Sequence, residues 1–322
     1  MDTYSSALDY LLTMPLIQSW PEMQALFWRA AAKQDGSWQL PRLACEAVGG
    51  APEQAIPAVA AVACLKISII LIDDLLDADP RGAHHRLGGP AAANLAAAFQ
   101  TAALEAIAHS AAQPHIQLAA LRSLNAAALT TALGQQWDAQ NPADEAAYWR
   151  VVETKSAPFF GAAFHVGALS GGADVDTAER LKQLGCLYGE MIQIHDDLHD
   201  TLAVPANPDW ALGRSPLPIL FAQVVEHPDR ARFLALRQAI PDPEALAEAQ
   251  TILIRCGAVS YGVHELLRRH RAAQGMLKGI PLVRAAGLES LLEDQVRPVD
   301  ELLASLEIPA AAHAARDALR RA

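Results

Sequence analysis

Basic charge is scarce in this chain of 322 residues: 25 Lys and Arg stand against 36 Asp and Glu, a formal net charge of −11. Without a basic patch to balance phosphates in series, the composition argues against nucleic acid as a partner. Cysteine is equally thin. Cys45, Cys64, Cys186 and Cys256 are far apart and show no CxxC spacing, so reduced thiols in the core are expected rather than a disulfide framework or a zinc site. Gly-rich phosphate loops of the Walker or Rossmann kind are absent, as is a GxSxG elbow, which removes support for nucleotide-loop and serine-hydrolase chemistry. No basic segment followed by an apolar one opens the chain, so no secretory signal is visible. The long apolar run over residues 55–72 contains Pro57 and Lys66 and ends in aspartates, the mark of a buried helix more than of a span. A cytoplasmic protein without a transmembrane segment is expected.

What the chain does have is alanine and leucine. Hydrophobic residues reach 52%, β-branched runs are short, and helical periodicity recurs almost throughout. An all-α bundle in a single domain over residues 1–322 follows, because no break is long enough to be a linker. Helices are expected over residues 20–34, 40–48, 54–78, 89–111, 115–139, 143–153, 156–170, 175–202, 216–225, 229–238, 242–256, 258–274 and 280–305, with residues 310–322 as a terminal helix or tail.

Two aspartate clusters interrupt this apolar pattern. Asp73-Asp74-Leu75-Leu76-Asp77 closes one helix, and Gly189, Gln193, Asp196, Asp197 and Asp200 share a stripe on another. Carboxylates seldom enter buried surfaces unless positive charge meets them there. On a helix, i and i+4 share a face, so Asp73 projects with Asp77 and Asp196 with Asp200. Two such sets facing one cavity would repel strongly unless metal neutralised them. Mg²⁺ takes one or two carboxylates plus phosphate oxygens, so the pattern suits a diphosphate held between acidic walls. His195 and His199 flank the second cluster but read as rim residues, since Mg²⁺ prefers oxygen. Tyr148, Trp149, Trp20, Trp28 and Trp210 read as packing or interface residues.

The ordered set of motifs resembles the trans-isoprenyl diphosphate synthases, the polyprenyl synthetase family of class I isoprenoid enzymes. Asp73, Asp74 and Asp77 match its first acidic motif, and Gly189 to Asp200 matches GxxxQxxDDxxD at every fixed position. Between them, Gly134-Gln135-Gln136-Trp137-Asp138 resembles GQxxD and Lys155-Ser156 resembles Lys-Thr. Gly213-Arg214-Ser215-Pro216-Leu217-Pro218 resembles GKKTLP with both lysines changed. The resemblance implies a helical bundle around a central cavity in a homodimer. It implies three Mg²⁺ ions on Asp73, Asp74, Asp77, Asp196, Asp197 and Asp200, which ionise an allylic prenyl diphosphate. Catalytic weight would fall on Asp73, Asp197, Lys155 and Gln193, with Gln135 and Asp138 as polar support. Lys66, Arg81, Lys155, Ser156 and Arg214 would contact diphosphate, and Leu65, Ser68, Ile69, Phe159 and Phe160 would line the prenyl tunnel. No large ring stands in the turn before Asp73, which points to a product of C20 or longer.

The chain departs from the family before the first acidic helix. The basic GKRxRP motif that serves isopentenyl diphosphate reads Gly36-Ser37-Trp38-Gln39-Leu40-Pro41-Arg42, Arg-Arg-Gly reads Pro80-Arg81-Gly82, and the histidine seven residues before Asp73 is Lys66. Two outcomes stay open. Either Lys66, Arg81, Arg42 and Arg86 rebuild an isopentenyl diphosphate site and the chain elongates prenyl diphosphates, or the enzyme works without isopentenyl diphosphate as a terpene synthase or a transferase to another acceptor. A noncatalytic partner subunit of a prenyl synthase is the non-enzyme alternative, and the retained aspartates weigh against it.

Overall fold

A computed structural model describes residues 3–297 and 299. Among them there is no strand. The helices are α1 (Thr3–Leu11), α2 (Pro15–Gln18), α3 (Pro21–Ala31), α4 (Leu40–Ala47), α5 (Ile56–Leu76), α6 (His84–Leu87), α7 (Gly89–Ala108), α8 (Pro114–Asp138) and α9 (Glu145–Lys155). They continue with α10 (Ala157–Ser170), α11 (Val175–Leu202), α12 (Pro208–Ala211), α13 (Leu217–Val224), α14 (Arg230–Arg237), α15 (Pro243–Arg255), α16 (Ala258–Lys278) and α17 (Ala286–Asp294). The all-α expectation is met. Most ends fall within a few residues of those read from periodicity, and α11 matches to the residue. Residues 280–305 differ: residues 280–285 form a loop before α17, and the rest of that stretch, like residues 310–322, lies largely or wholly outside the described residues.

Local chemistry sets the helix starts. Asp144, Asp174 and Asp242 each accept a hydrogen bond from an amide of the following first turn, at 2.8, 2.8 and 2.9 Å. Proline sits in the first turn of α3, α5, α8, α10 and α15, where its missing N–H costs nothing.

At the centre, α10 packs on α11, α4 and α8, while α5 packs on α7 and α11 packs on α16. The apolar half of α5 is buried from Ala58 to Leu65. Two helical stretches, Pro52–Leu76 and Gly89–Ala108, are long and apolar enough to cross a membrane, with 67% and 44% of their apolar windows buried inside the protein. Packing inside the bundle accounts for most of the first stretch. One continuous buried core runs from Tyr4 on α1 to Leu292 on α17.

Two glycines let the central helices approach. A Cβ at Gly134 would lie 2.3 Å from the backbone nitrogen of Lys155, so α8 and the end of α9 meet backbone to backbone. A Cβ at Gly189 would lie 2.7 Å from a ring carbon of Phe160 and 2.9 Å from the Cα of Ala157, which seats α11 on α10. Both are the glycines that open the GQxxD and GxxxQxxDDxxD matches. Each stands one or two turns before the aspartates it helps to place.

Candidate active site

The C-terminal ends of α5, α8 and α9, with the last turns of α11, surround a cavity of about 350 Å³. Helix C-termini carry partial negative charge. Acidic side chains there oppose local helix preference, a conflict that marks a functional site. Asp73 and Asp77 from α5, Asp138 from α8, Asp196, Asp197 and Asp200 from α11, and Asp209 from α12 all line this space.

The cations present are already engaged. Lys155 bridges α8 and α5, its Nζ 2.6 Å from Asp138 Oδ2 and 3.0 Å from Asp73 Oδ1. Burial works against the Lys155 charge, but Asp138 and Asp73 outweigh it and push its pKa upward. Arg214 pairs with Asp77 and donates to the carbonyl of Asp138 at 2.6 Å, tying the ends of α5 and α8 together. Gln135 Nε2 lies 3.4 Å from Asp73 Oδ1 and 3.4 Å from the Ile69 carbonyl.

Asp197 differs from its neighbours. It is 5% exposed, and three donors occupy its oxygens: Gln193 Nε2 at 2.8 Å, the Tyr148 hydroxyl at 2.7 Å and the Leu217 amide at 2.7 Å. The last of these is the first amide of α13, so Asp197 also meets the positive end of that helix. Ser156 donates to Gln193 at 2.5 Å, which completes a chain from α9 through α11 to α13. Asp196, one residue earlier, lines the same cavity with its side chain exposed. Burial pushes Asp197 up to about 7 and Asp196 up to about 6, and it also raises Asp74, Asp77, Asp200 and Asp209. Positive charge brought into the cavity would favour their ionised forms.

Comparison with known proteins agrees with this geometry. The family model described as polyprenyl synthetase matches residues 39–252. The chain belongs to the polyprenyl synthetase family. It is 32% identical over 181 residues to the geranylgeranyl diphosphate synthase of Methanosarcina mazei, covering 53% of this chain and 55% of that protein. It is 26% identical over 269 residues to the geranylfarnesyl diphosphate synthase of Aeropyrum pernix, covering 77% and 84%. The chain thus spans about half the length of the first of these relatives. The crystal structure of geranylgeranyl pyrophosphate synthetase from Pyrococcus horikoshii matches with a TM-score of 0.76 at 21% identity, over 92% of this chain and 94% of that one. Polyprenyl synthetase from Streptomyces coelicolor matches with a TM-score of 0.76 at 21% identity, over 91% and 97%. These two likenesses establish the isoprenoid synthase fold.

Within this family member, several residues sit elsewhere than their spacing suggested. At about 100° per residue, Lys66 and Ile69 lie within about 40° of Asp73 around α5, whereas Leu65 lies about 80° and Ser68 about 140° away. Accordingly Lys66, Ile69, Phe159 and Phe160 line the cavity, while Leu65 and Ser68 are buried at 2% and 4% exposure away from it. The Lys66 ammonium lies 5.2 and 5.6 Å from the Phe159 and Phe160 ring centroids. Asp74 turns off the acidic face by about the same 100° and lines a second cavity of about 170 Å³. Arg42 does not join the cations near the first cluster. It bonds Glu46 at 2.9 Å and Thr3 at 3.1 Å, outside both cavities. Arg81 pairs with Asp79 at 2.8 Å and lines both. Tyr148, expected as a packing residue, is a site residue through its bond to Asp197. Asp209, Asn207 and Asn141 line the cavity unforeseen. The only sequence signal for Asn207 was its place before Pro208, which reads as a helix cap.

Proposed function

We propose that the acidic cavity binds an allylic prenyl diphosphate and ionises it, and that the cation is captured by isopentenyl diphosphate to give a prenyl diphosphate of C20 or longer. The observation that carries this reading is the pair of acidic walls, Asp73 with Asp77 and Asp196 with Asp200, lining one cavity in which Lys155 stands paired with Asp73 and Asp138. The relatives named as geranylgeranyl and geranylfarnesyl diphosphate synthases support the product range.

The donor set fits Mg²⁺, because it is oxygen throughout and cations would favour the ionised carboxylates. Among the described residues no three such side chains already cage an ion on their own. Asp73, Asp77, Asp196 and Asp200 would hold such ions in the cavity they line. When bound, such ions would screen the charge that builds on the leaving group. Lys155, held by Asp73 and Asp138, is positioned to meet that charge from the protein side. The allylic C–O bond breaks with its electron pair leaving on the diphosphate. The isopentenyl double bond then attacks the cation, and the adduct loses a proton to the departed diphosphate, forming the new double bond. Ile69, Phe159 and Phe160 exclude water around the cation, and the two rings lower its energy by cation–π attraction. Asp197 acts as the anchor that orients Gln193, more than as a metal ligand.

The second cavity favours elongation over cyclisation, since it brings further cations beside the acidic site. Leu118, Leu129 and Leu133, exposed at 51%, 72% and 46% along α8, support pairing with a second copy into a homodimer. Product analysis with Mg²⁺ and geranylgeranyl diphosphate, with and without isopentenyl diphosphate, tests the proposal. Longer prenyl diphosphates should form only with the second substrate. Hydrocarbon or alcohol formed without it would replace elongation by terpene synthase chemistry. Asp73→Ala and Asp196→Ala should each abolish turnover, and retained activity in either would end the metal-site reading.

A further inference from the structure

In a chain with net charge −11, the second cavity is lined by five cations: Arg29 near the end of α3, Lys33 in the turn just after it, Lys66 of α5, and Arg81 and Arg86 beyond α5. Asp35 and Asp74 are the carboxylates on its wall. Asp35 is already occupied, its side chain accepting from the Ser37 amide at 2.8 Å. Arg81 answers Asp79, and Lys66 lies over two aromatic rings. The side chains of Arg29, Lys33 and Arg86 form no ion pair or hydrogen bond among the described residues. Five cations against the two carboxylates of this wall leave an excess of positive charge, which raises the local potential and calls for an anion. Trp38, 1% exposed, and Leu71 give the same cavity an apolar wall. Lys66, Ile70 and Arg81 line both cavities, so the basic pocket opens beside the acidic one across α5.

We infer that Arg29 of α3 and Lys33 in the turn just after it, with Lys66, Arg81 and Arg86, hold the diphosphate of the second substrate, in place of the basic loop this chain lacks at Gly36–Arg42. The inference rests on the proposed use of isopentenyl diphosphate and assigns its binding residues. Arg29 and Lys33 precede the stretch that the family model matches, residues 39–252. Their chemistry fits a small anion of high charge with a short apolar tail: guanidinium and ammonium groups for diphosphate oxygens, and Trp38, Ile70 and Leu71 for the hydrocarbon. Arg42, tied to Glu46, takes no part.

Isopentenyl diphosphate is titrated calorimetrically into the full chain in EDTA, which silences any metal-dependent binding in the acidic cavity. One site is expected in the wild type, weakened at least tenfold in Arg29→Gln/Lys33→Gln and weakened by salt, because these side chains are exposed. Arg29→Lys should retain more affinity than Arg29→Gln. Arg122→Gln, on the exposed face of α8, serves as the control for a generic loss of positive charge. In turnover assays the double variant should raise the KM for isopentenyl diphosphate at least tenfold and leave the KM for the allylic substrate within twofold. Absence of binding in the wild type, or equal affinity in wild type and double variant, overturns the assignment. Condensation at an unchanged KM in the double variant overturns it too, while leaving the elongation reading intact. Binding that depends on Arg29 and Lys33 without any condensation keeps the subsite and removes elongation.

Discussion

Replacing Tyr148 with phenylalanine takes one oxygen from the heart of the site and little else. The ring would keep its edge-on contact with Trp149, whose centroid lies 4.8 Å away. What goes is the hydroxyl that donates to Asp197 over 2.7 Å. Asp197 is 5% exposed, and among protein donors its carboxylate keeps only Gln193 and the Leu217 amide. A hydrogen bond to a charged group contributes about 1.5–3 kcal/mol. Tyr148→Phe should therefore destabilise the metal-free protein by about 2 kcal/mol, a fall in Tm of roughly 4 °C for a chain of this size. The loss carries a pH signature. Burial raises Asp197 to about 7, and the Tyr148 bond pulls the other way, so removing that bond raises it further. The penalty then grows as pH rises above the wild-type pKa, is complete only above the variant's own higher pKa, and shrinks below pH 6, where both proteins carry the proton. Thermal unfolding of both proteins in EDTA at pH 8.5 and 5.5 measures it. A Tm loss of the same size at both pH values would mean that the hydroxyl acts by packing alone. No loss at either would remove the Tyr148–Asp197 bond from the account of the site. In an Asp197→Asn background the effect of Tyr148→Phe should fall by about half, since charge-assisted bonds are roughly twice as strong as neutral ones.

Lys155→Met should lower single-turnover diphosphate release by about 10²–10³-fold, the range found when one preorganised donor is lost; a change below threefold would remove Lys155 from catalysis. Gly134→Ala places a methyl 2.3 Å from the Lys155 nitrogen and should cost about 1–3 kcal/mol by overpacking. A Tm within 1 °C of wild type would contradict that close approach. With Asp196 raised to about 6 and Asp197 to about 7, the folded metal-free protein binds more protons than the unfolded chain between roughly pH 4 and 7, so its stability should fall as pH rises through that window. Mg²⁺, which favours the ionised carboxylates, should flatten the slope. A Tm that climbs from pH 5 to 7 in EDTA would refute the sign.

The helices were legible because apolar spacing repeats with the helical period and Asp, Pro and Gly punctuate it. The start and stop of α11 are written in Asp174 before it and the residues 203–208 after it. What escaped was short: α1 has nine residues, and α6 and α12 are single turns too brief to show a period. In the site, identity was legible but direction was not. Asp196 and Asp197 are neighbours in a motif that treats them alike, yet one is exposed in the cavity and the other is buried among three donors. Leu65 and Ser68 were chosen by distance along the chain, and the angle around α5 turned them into the core. Arg29 and Lys33 gave no signal, since two exposed cations on an amphipathic helix read as a solvated face. Tyr148 looked like packing because its aromatic ring does pack, and only its partner reveals the hydroxyl's work.

The division of labour across α5 has a practical consequence. The groups proposed to grip the departing diphosphate sit on α5, α8, α9 and α11, whereas two of those proposed to grip the incoming one sit on α3 and in the turn just after it, a separate and earlier part of the chain. Donor and acceptor handling can therefore be graded independently. Substitutions confined to Arg29 and Lys33 would starve the cation of its usual partner while leaving the machinery that makes it in place. Such a protein becomes a testing ground in which water, an internal double bond or a supplied nucleophile competes for a cation generated at full rate, and engineering a cyclase from an elongating enzyme starts from one helix rather than from the whole bundle.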